Sequence, residues 1–477
     1  MKKPLAALLS ALLLSACVAA PPTTPQVKAV EQADMGLTGD AAPHFPREWW
    51  KAFGDPQVDR LAQLVTAGNP TLAAALARMR AAQAELAVNR ADDRPQLSLD
   101  GSEQRMLFSK DYIIPPPYGG SYRWYGQVVA NLTWNLDFWG KQADLIAKAR
   151  STAEAAALDA EAARLALSGA FAQAYIDLLL NYQNGEIADR AVAERTEILN
   201  ITQGRFDAGL ENASAVEQAK TLLSLAKADQ LRFAAAREMD IHAIAALTGQ
   251  GAGAYAGIAR PTANLDVVLP LPEKLPADLL ARRPDVLAAK ARVEAAVKGR
   301  EAAHADFYPD INLAALAGFQ SIGLSNLFTG DAFTMGIGPA LHLPIFDAGK
   351  IRAQYAGATA QLDVAVADYN NAVLNAIKQT ADAMTQVKSL TAQRRQQQDA
   401  VVSAERAFRI AEDRYRSGLD TQLPMLTTES TLLQARQALA GVIAQATIQR
   451  ITLLLTVGGG FEPAPIAPQI AKQDVSQ

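Results

Sequence analysis

The sequence is almost without cysteine. Cys17 is the only one among 477 residues, so an intrachain disulfide is excluded. Histidine is nearly as scarce. His44, His242, His304 and His342 stand far apart, and none has the spacing of a metal-ligand pair. No metal or other cofactor is expected. A Gly-x4-Gly-Lys-Ser/Thr phosphate loop is missing, and nothing supports a Ser-His-Asp set, so the residues do not read as an enzyme. The formal net charge is only −4. Without a basic aromatic stripe, nucleic acid is not an expected partner. The apolar run at residues 5–14 is too short for a membrane-spanning helix, which needs about twenty residues.

That run has another reading. Lys2 and Lys3 precede it, and Leu14-Ser15-Ala16-Cys17 closes it. Charged, apolar and small-residue regions in this order form a secretory signal peptide, residues 1–16. Leu-Ser-Ala-Cys resembles the bacterial lipobox, whose cysteine becomes the acylated N-terminus. Val18 follows where an aspartate would signal retention at the inner membrane. The resemblance therefore implies a lipoprotein anchored through Cys17 in the outer membrane. Residues 17–44, rich in proline, threonine and alanine, are expected to form a flexible lipid-anchored linker.

The chain is organised around residues 127–141. Val128, Ala130, Leu132, Trp134, Leu136 and Phe138 are apolar; Gln127, Asn131, Thr133, Asn135 and Asp137 are polar; Val129 alone breaks the alternation. This is a long strand with one apolar and one wet face. After Gly140 the spacing becomes helical, without proline, to about Gln203, with Gly204 and Gly209 expected to stop it. Such a helix is about 95 Å long. A second strand-to-helix junction, Leu341-His342-Leu343-Pro344-Ile345-Phe346-Asp347-Ala348-Gly349-Lys350, follows, with Gly349 standing 209 positions after Gly140.

The correspondence extends in both directions. Arg283-Pro284 matches Asn69-Pro70 and Tyr308-Pro309 matches Arg94-Pro95, both at a shift of 214. Arg414-Tyr415-Arg416-Ser417-Gly418-Leu419 matches Arg205-Phe206-Asp207-Ala208-Gly209-Leu210 at a shift of 209. The chain is thus a tandem duplication of helix, strand, strand, long helix, turn, helix. The first repeat is placed at residues 45–248, a linker at 249–283, the second repeat at 284–457, and a tail with a disordered end at 458–477. Trp49 and Trp50 are expected in a core. Helices starting at Asn69-Pro70 and near Ala213 together match the long helix in length, so a continuous helix beside a broken one is expected. Tyr118, Tyr122, Trp124 and Tyr125 are expected in the first hairpin loop, as an interfacial belt.

Each chain then offers four two-faced strands. Four strands cannot close a barrel, and open strand edges cannot lie in lipid. A barrel shared between copies follows, and three copies give twelve strands. The fold class is mainly α with a transmembrane β-barrel. Leu132, Trp134, Leu341 and Leu343 are expected to face lipid; Asn131, Thr133, Asn135 and His342 are expected to face the lumen. With Asp100, Asp310 and Asn312 on the wet faces, a mild cation preference is expected.

The chain resembles the outer-membrane factors of tripartite efflux and secretion systems, the TolC-like channels, in their lipoprotein branch. The residues that carry this are Leu14 to Cys17, Trp49-Trp50, Asp55-Pro56, Asn69-Pro70-Thr71-Leu72, Arg282-Arg283-Pro284-Asp285-Val286, Tyr308-Pro309, Phe346-Asp347-Ala348-Gly349 and the two tip motifs at Arg205 and Arg414. The resemblance implies a homotrimer with a periplasmic helical tunnel, working with a periplasmic adaptor and an inner-membrane pump as a passive efflux conduit. The channel of a type I protein secretion system is the alternative; a structural envelope lipoprotein would have no use for two-faced strands.

The family's periplasmic tips close into an iris, often lined by aspartates six and nine residues after the second tip glycine. Here those positions are Pro424 and Thr427, and the sixth residue after Gly209 is Ala215. The tip residues are Arg205, Gly209, Arg414, Arg416, Gly418, Asp420, Leu423 and Thr427. A constriction of Leu423 with Thr427 is expected, with Arg205, Arg414 and Arg416 pairing Asp207, Asp413 or Asp420. Glu211, Glu217 and Glu429 are further acids near the tip.

Overall fold

The computed structural model describes residues 23–31, 35–37, 39–41, 43–111, 113–265, 271–272 and 274–462. The signal peptide, Cys17 and the end of the tail lie outside the described residues. Alanine-rich, proline-free stretches form the two longest helices. They are α3 (Lys141–Asp207) and α6 (Lys350–Arg416), each of 67 residues, or about 100 Å. Further helices, leaving aside the single turn at Leu279–Arg282, are α1 (Pro56–Gly68), α2 (Pro70–Asp92), α4 (Ala213–Leu247), α5 (Pro284–Ala305) and α7 (Gln422–Thr456). Strands β1 (Gln96–Leu107) and β2 (Tyr122–Asn135) precede α3, and β3 (Asp310–Ile322) and β4 (Phe333–His342) precede α6.

The chain divides into two compact units, and α3 and α6 run from one into the other. One unit holds the sheet, antiparallel throughout in the order β1-β2-β3-β4. Gly318 permits the close β2–β3 approach, since a Cβ there would lie 2.2 Å from the Val128 carbonyl oxygen. In this unit α3 lies beside α2, with the Gln142 amide donating to the Asn89 carbonyl at 2.6 Å. Similarly, α5 lies beside α6, with Arg300 Nε donating to Thr359 Oγ1 at 3.1 Å.

The other unit holds the main core. Trp49 and Trp50 meet edge-to-face there with Phe53, and all three are buried with Leu61, Phe171, Ile244 and Leu454. Asp55 explains how this corner is fastened. Its carboxylate accepts from the Gln57 N–H at the start of α1, from the Tyr175 hydroxyl at 2.6 Å and from the Thr262 N–H. Burial alone would raise the Asp55 pKa, but these three donors outweigh it and the net direction is down.

Broken helices meet at two equivalent joints within this unit. Asn69 serves both sides of the first. Its Oδ1 accepts from the Thr71 N–H opening α2, while its Nδ2 donates to the Leu247 carbonyl closing α4, at 2.8 and 2.9 Å. Orphan donors and orphan acceptors of two helix ends are thus satisfied by one amide. In the second repeat Arg283 supplies the donor, with Nη1 to the Thr456 carbonyl at 3.2 Å. The ends come so close that only glycine fits. A Cβ on Gly249 would lie 2.0 Å from the Gly68 carbonyl oxygen, and one on Gly458 2.6 Å from that of Arg282. The expected continuous helix beside a broken one is the observed arrangement.

Several expectations are corrected. Gly204 does not stop α3, which runs on to Asp207; a lone interior glycine costs only about 1 kcal/mol. Gly209 ends it instead, with φ +73°. The Leu210 N–H bonds the Arg205 carbonyl and the Gly209 N–H that of Phe206, a Schellman closure that α6 repeats at Gly418. Tyr122, Trp124 and Tyr125 are in β2 rather than in the loop, because the ladder reaches Leu107 paired with Tyr122. The 17–44 linker is not free along its described length, since residues 23–28 are hydrogen-bonded to α5 and α6.

Gly249→Ala is expected to destabilise the core unit by more than about 1 kcal/mol, through positive φ and the overlap with Gly68. Gly251→Ala, with nothing within 4 Å of the added Cβ, is the control expected to be neutral. Amide hydrogen exchange at the ends of α2 and α4 measures the difference.

Candidate functional site

Residues paired across an antiparallel ladder share a face, so the register sorts the sheet. Leu97 pairs with Leu132 and Leu99 with Ala130. Leu132 in turn pairs with Ala315 and Trp134 with Leu313. Ile311 pairs with Leu341 and Ala315 with Ile337. One face therefore carries an apolar band across all four strands, which in β1 gives way to Glu103 and Arg105. Leu97, Leu99, Met335, Ile337 and Leu341 stand 66–73% exposed on it. A soluble surface rarely tolerates so large an apolar patch.

The opposite face is polar. Asn131, Thr133 and Asn135 lie on it in β2, Asp310 and Asn312 in β3, and His342 in β4, paired with Asp310. Asp100 organises part of it. Its Oδ2 accepts from Asn131 Nδ2 at 2.8 Å and from Ser98 Oγ at 3.1 Å. Val129, the residue that breaks the alternation, sits on this face but is buried. Leu343 follows the last residue of β4, so the ladder does not assign it a face. Among the described residues β1 pairs only with β2 and β4 only with β3. Both outer strands thus present a row of unpaired N–H and C=O groups.

The turns at Gly209 and Gly418 form the second region, and there the three arginines expected at the tip each meet an acid. Arg414 Nε pairs with Asp420 Oδ2 at 3.1 Å, as expected. This guanidinium holds the Asp420 carboxyl below the usual carboxylate range, as does the Thr421 N–H. The other two pairings differ from expectation. Arg205 reaches Glu211, at 3.9 Å, and lies over the Tyr415 ring, 4.9 Å from its centroid. Asp207 instead accepts from Gln203, one helical turn away. Arg416 bridges Glu197 on α3, at 2.6 Å, and Glu412 on its own helix, at 2.9 Å. Side chains four apart on one helix are natural partners, so Glu412 rather than Asp413 takes Arg416.

Leu423 and Thr427 lie one turn apart at the start of α7, and the Thr427 hydroxyl donates to the Leu423 carbonyl at 2.9 Å. Leu423 is 58% exposed. Just beneath is a buried polar joint. Gln422 Nε2 donates to Thr202 Oγ1 at 2.6 Å, and Thr202 Oγ1 lies 3.3 Å from the Tyr415 hydroxyl. Thr202 spends its own proton on the Ile198 carbonyl, so its oxygen accepts from both neighbours. This joint ties α3 to α6 and α7.

Glu429 is the acid whose place was least legible. It is fully buried and meets Arg195 twice, at 2.8 and 3.3 Å, while Arg195 Nη1 also donates to the Leu222 carbonyl of α4. Nothing local marked the two as partners, since they stand 234 positions apart. Of the acids near the tip, Glu217 alone pairs with a surface lysine, Lys220. Cys17 lies outside the described residues.

Known proteins resemble this chain in sequence and fold. The family described as outer membrane efflux protein matches residues 61–250 and 275–459. The fusaric acid resistance protein FusA of Burkholderia cepacia is 34% identical over 367 residues, covering 75% of this chain and 69% of its own. The multidrug resistance outer membrane protein MdtP of Escherichia coli is 28% identical over 450 residues, covering 92% and 91%. The crystal structure of the outer membrane protein VceC from Vibrio cholerae superposes with a TM-score of 0.83 at 33% identity, covering 88% of this chain and all of that one.

The two sheet faces make opposite demands on one pair of neighbours. Leu132→Arg puts a charge on the apolar face, where mid-bilayer burial costs about 2–4 kcal/mol, and is expected to deplete assembled protein from the outer-membrane fraction. Thr133→Arg is expected to assemble normally and to change conductance. Normal assembly of the first with failure of the second would reverse the faces.

Proposed function

The chain belongs to the outer membrane efflux protein family and is an outer-membrane efflux channel reaching into the periplasm; we propose that three copies share one twelve-stranded barrel. The single observation that carries this is the open sheet, with an apolar band across one face of all four strands, ending at Glu103 and Arg105 in β1, and unpaired at both edges. Lipid offers no partner for edge groups, so the sheet must close on other copies. About eight strands are filled by their own side chains, whereas twelve begin to leave a lumen. The polar face, with Asn131, Thr133, Asn135 and His342, then lines water. Asp100 and Asp310 on that face give the pore its mild cation preference.

In this reading the protein is a passive conduit and not an enzyme. A periplasmic adaptor and an inner-membrane pump load it from the tip side. Cys17 is acylated and adds a lipid anchor to the inserted barrel, each buried methylene contributing about 0.8 kcal/mol. Intact mass of the purified protein is expected to show the lipid on Cys17; an unmodified cysteine there would overturn the anchor.

The gate is formed by Leu423 and Thr427, backed by the Gln422, Thr202 and Tyr415 joint. What supports an apolar and hydrogen-bonded seal is the fate of the nearby acids. Asp420, Glu211 and Glu429 each face an arginine, and Pro424 and Thr427 stand where carboxylates would project. Divalent cations need several oxygen ligands, commonly carboxylates, and these three are already held by guanidinium groups. Single-channel conductance of the purified trimer, titrated with calcium or magnesium from the periplasmic side, is expected to show unitary steps without tight block. Thr427→Asp is expected to create block. Tight block of the unaltered protein would reveal an acidic ring, and the absence of unitary steps would overturn the conduit itself.

A further inference from the structure

Two loops join the strands at the end of the sheet away from the helices, and they lean to opposite faces. In the loop between β1 and β2, Tyr118 meets Arg123, whose guanidinium lies 5.7 Å from the ring centroid. Arg123 pairs with Met106 and belongs to the polar face, with Asn131 and Thr133. The loop between β3 and β4, residues 323–332, goes the other way. A Cβ on Gly126 would point to the side of Val128 and Leu132, because side chains alternate along a strand. There it would meet Leu327 Cδ2 at 3.4 Å and Leu324 Cδ1 at 3.6 Å. Phe328 packs edge-to-face on Phe319, which packs in turn on Phe333. Phe319 pairs with both Val128 and Phe333, so this cluster stands on the apolar face.

The loop is held in place. The Gly323 N–H donates to the Trp124 carbonyl, Ser321 Oγ to the Gly323 carbonyl and Thr329 Oγ1 to the Asn326 carbonyl, each at 2.8 Å. Leu327 is 5% exposed, whereas Phe328 is 73% exposed and Leu324 and Phe333 are exposed with it. One leucine thus fastens the loop to the sheet, and other large apolar groups point away from it.

Two independent features mark one level on the sheet. Gly101, Val128, Phe319 and Phe333 form a row across the four strands. Two residues beyond it, β1 turns to charge at Glu103, which pairs with Gly126. The loop lies on that same Gly126. Neither a charged side chain nor irregular backbone is stable against lipid hydrocarbon, so the hydrocarbon ends just above the row. Its other limit agrees. A band about 25 Å tall takes up about ten residues of a strand tilted by about 40°. Ten positions after Val128 stands Phe138, at the strand-to-helix junction, and it is exposed, as is Phe346 at the second junction.

We propose that residues 323–332 are a shelf on the outer leaflet, with Leu324 and Phe328 seated between its acyl chains and headgroups. The partner is lipid, because the loop continues the apolar band and charge begins at its level. This rests on the apolar face meeting lipid. The pore mouth is then left to the loop between β1 and β2.

Spin labels on single introduced thiols read the depth. Phe328→Cys and Leu324→Cys report the shelf, Ile337→Cys the band and Asp111→Cys water, while the unsubstituted chain gives the background from Cys17. In phosphatidylcholine nanodiscs, the ratio of collisions with oxygen to collisions with a water-soluble nickel complex rises with depth. At positions 324 and 328 the ratio is expected between those at 111 and 337. A ratio equal to that at 111 would put the loop in water and overturn the shelf. One as high as at 337 would bury it in hydrocarbon and overturn the boundary. Labels shielded from both reagents would show a second copy covering the loop, and would overturn the lipid partner. A water-like ratio at 337 itself would overturn the lipid-facing band on which the shelf rests, a failure distinct from the other three. Poly(ethylene glycol) maleimide attached at position 328 is expected to leave unitary conductance unchanged; a fall would make the loop a lid over the pore and overturn the shelf.

Discussion

Backbone hydrogen bonds that lipid cannot satisfy are the constraint behind this molecule. A strand edge in hydrocarbon leaves each N–H and C=O unpaired at a cost of several kcal/mol. The four strands pair among themselves and stop, with β1 and β4 open. The same requirement returns at each helix end. Asn69 closes two ends with one amide, Gly209 and Gly418 close the tips by positive-φ turns, and Arg283 closes the second joint. These helix ends are finished by the same rule, with either a side chain or a tight turn.

Duplication explains why the rule is applied twice in nearly the same way. The two long helices have the same length, as do α4 and α7. Differences between the repeats are then informative. Arg195 and Glu429 form a buried pair, yet their equivalents 209 positions away are Ala404 and Lys220. A buried charge pair seldom adds stability over an apolar pair of similar volume. It does penalise any packing that separates the charges. Here it holds α7 to α3, and through Leu222 to α4, just behind the tip. The Gln422, Thr202 and Tyr415 joint repeats that logic with neutral groups. The tip is thus fixed by few, buried, directional contacts, while its outer charges are exposed pairs of small individual worth.

Much of this architecture is legible in the sequence for a physical reason. Period two and period 3.6 are local properties, so β2, β4 and the proline-free helices announce themselves. The Asn-Pro and Gly-Leu punctuation marks starts and stops. Duplication gives each signal a second witness, which is why the faces of Leu132, Trp134, Asn131 and Thr133 follow from alternation alone. Tyr122 and Trp124 were less legible because the extent of a strand depends on its partner. Only β1, reaching to Leu107, makes residues 122–124 part of the ladder.

What only the tertiary structure decided are contacts between positions far apart in the chain. The Arg195–Glu429 pair, the Asn69–Leu247 joint and the hydrogen bonds of the Gln26 and Val27 N–H groups to Asp363 each link segments that carry no local mark of one another. Arginine partners at the tip were half legible, since Arg414 and Asp420 are close in sequence while Arg416 and Glu197 are not. The sequence by itself determined the apolar and polar faces of the strands and where the proline-free helices run, because both periods are local. Which charged or polar group completes each buried site depends on distances set by packing, and packing sums over the whole fold instead of over any window of the chain.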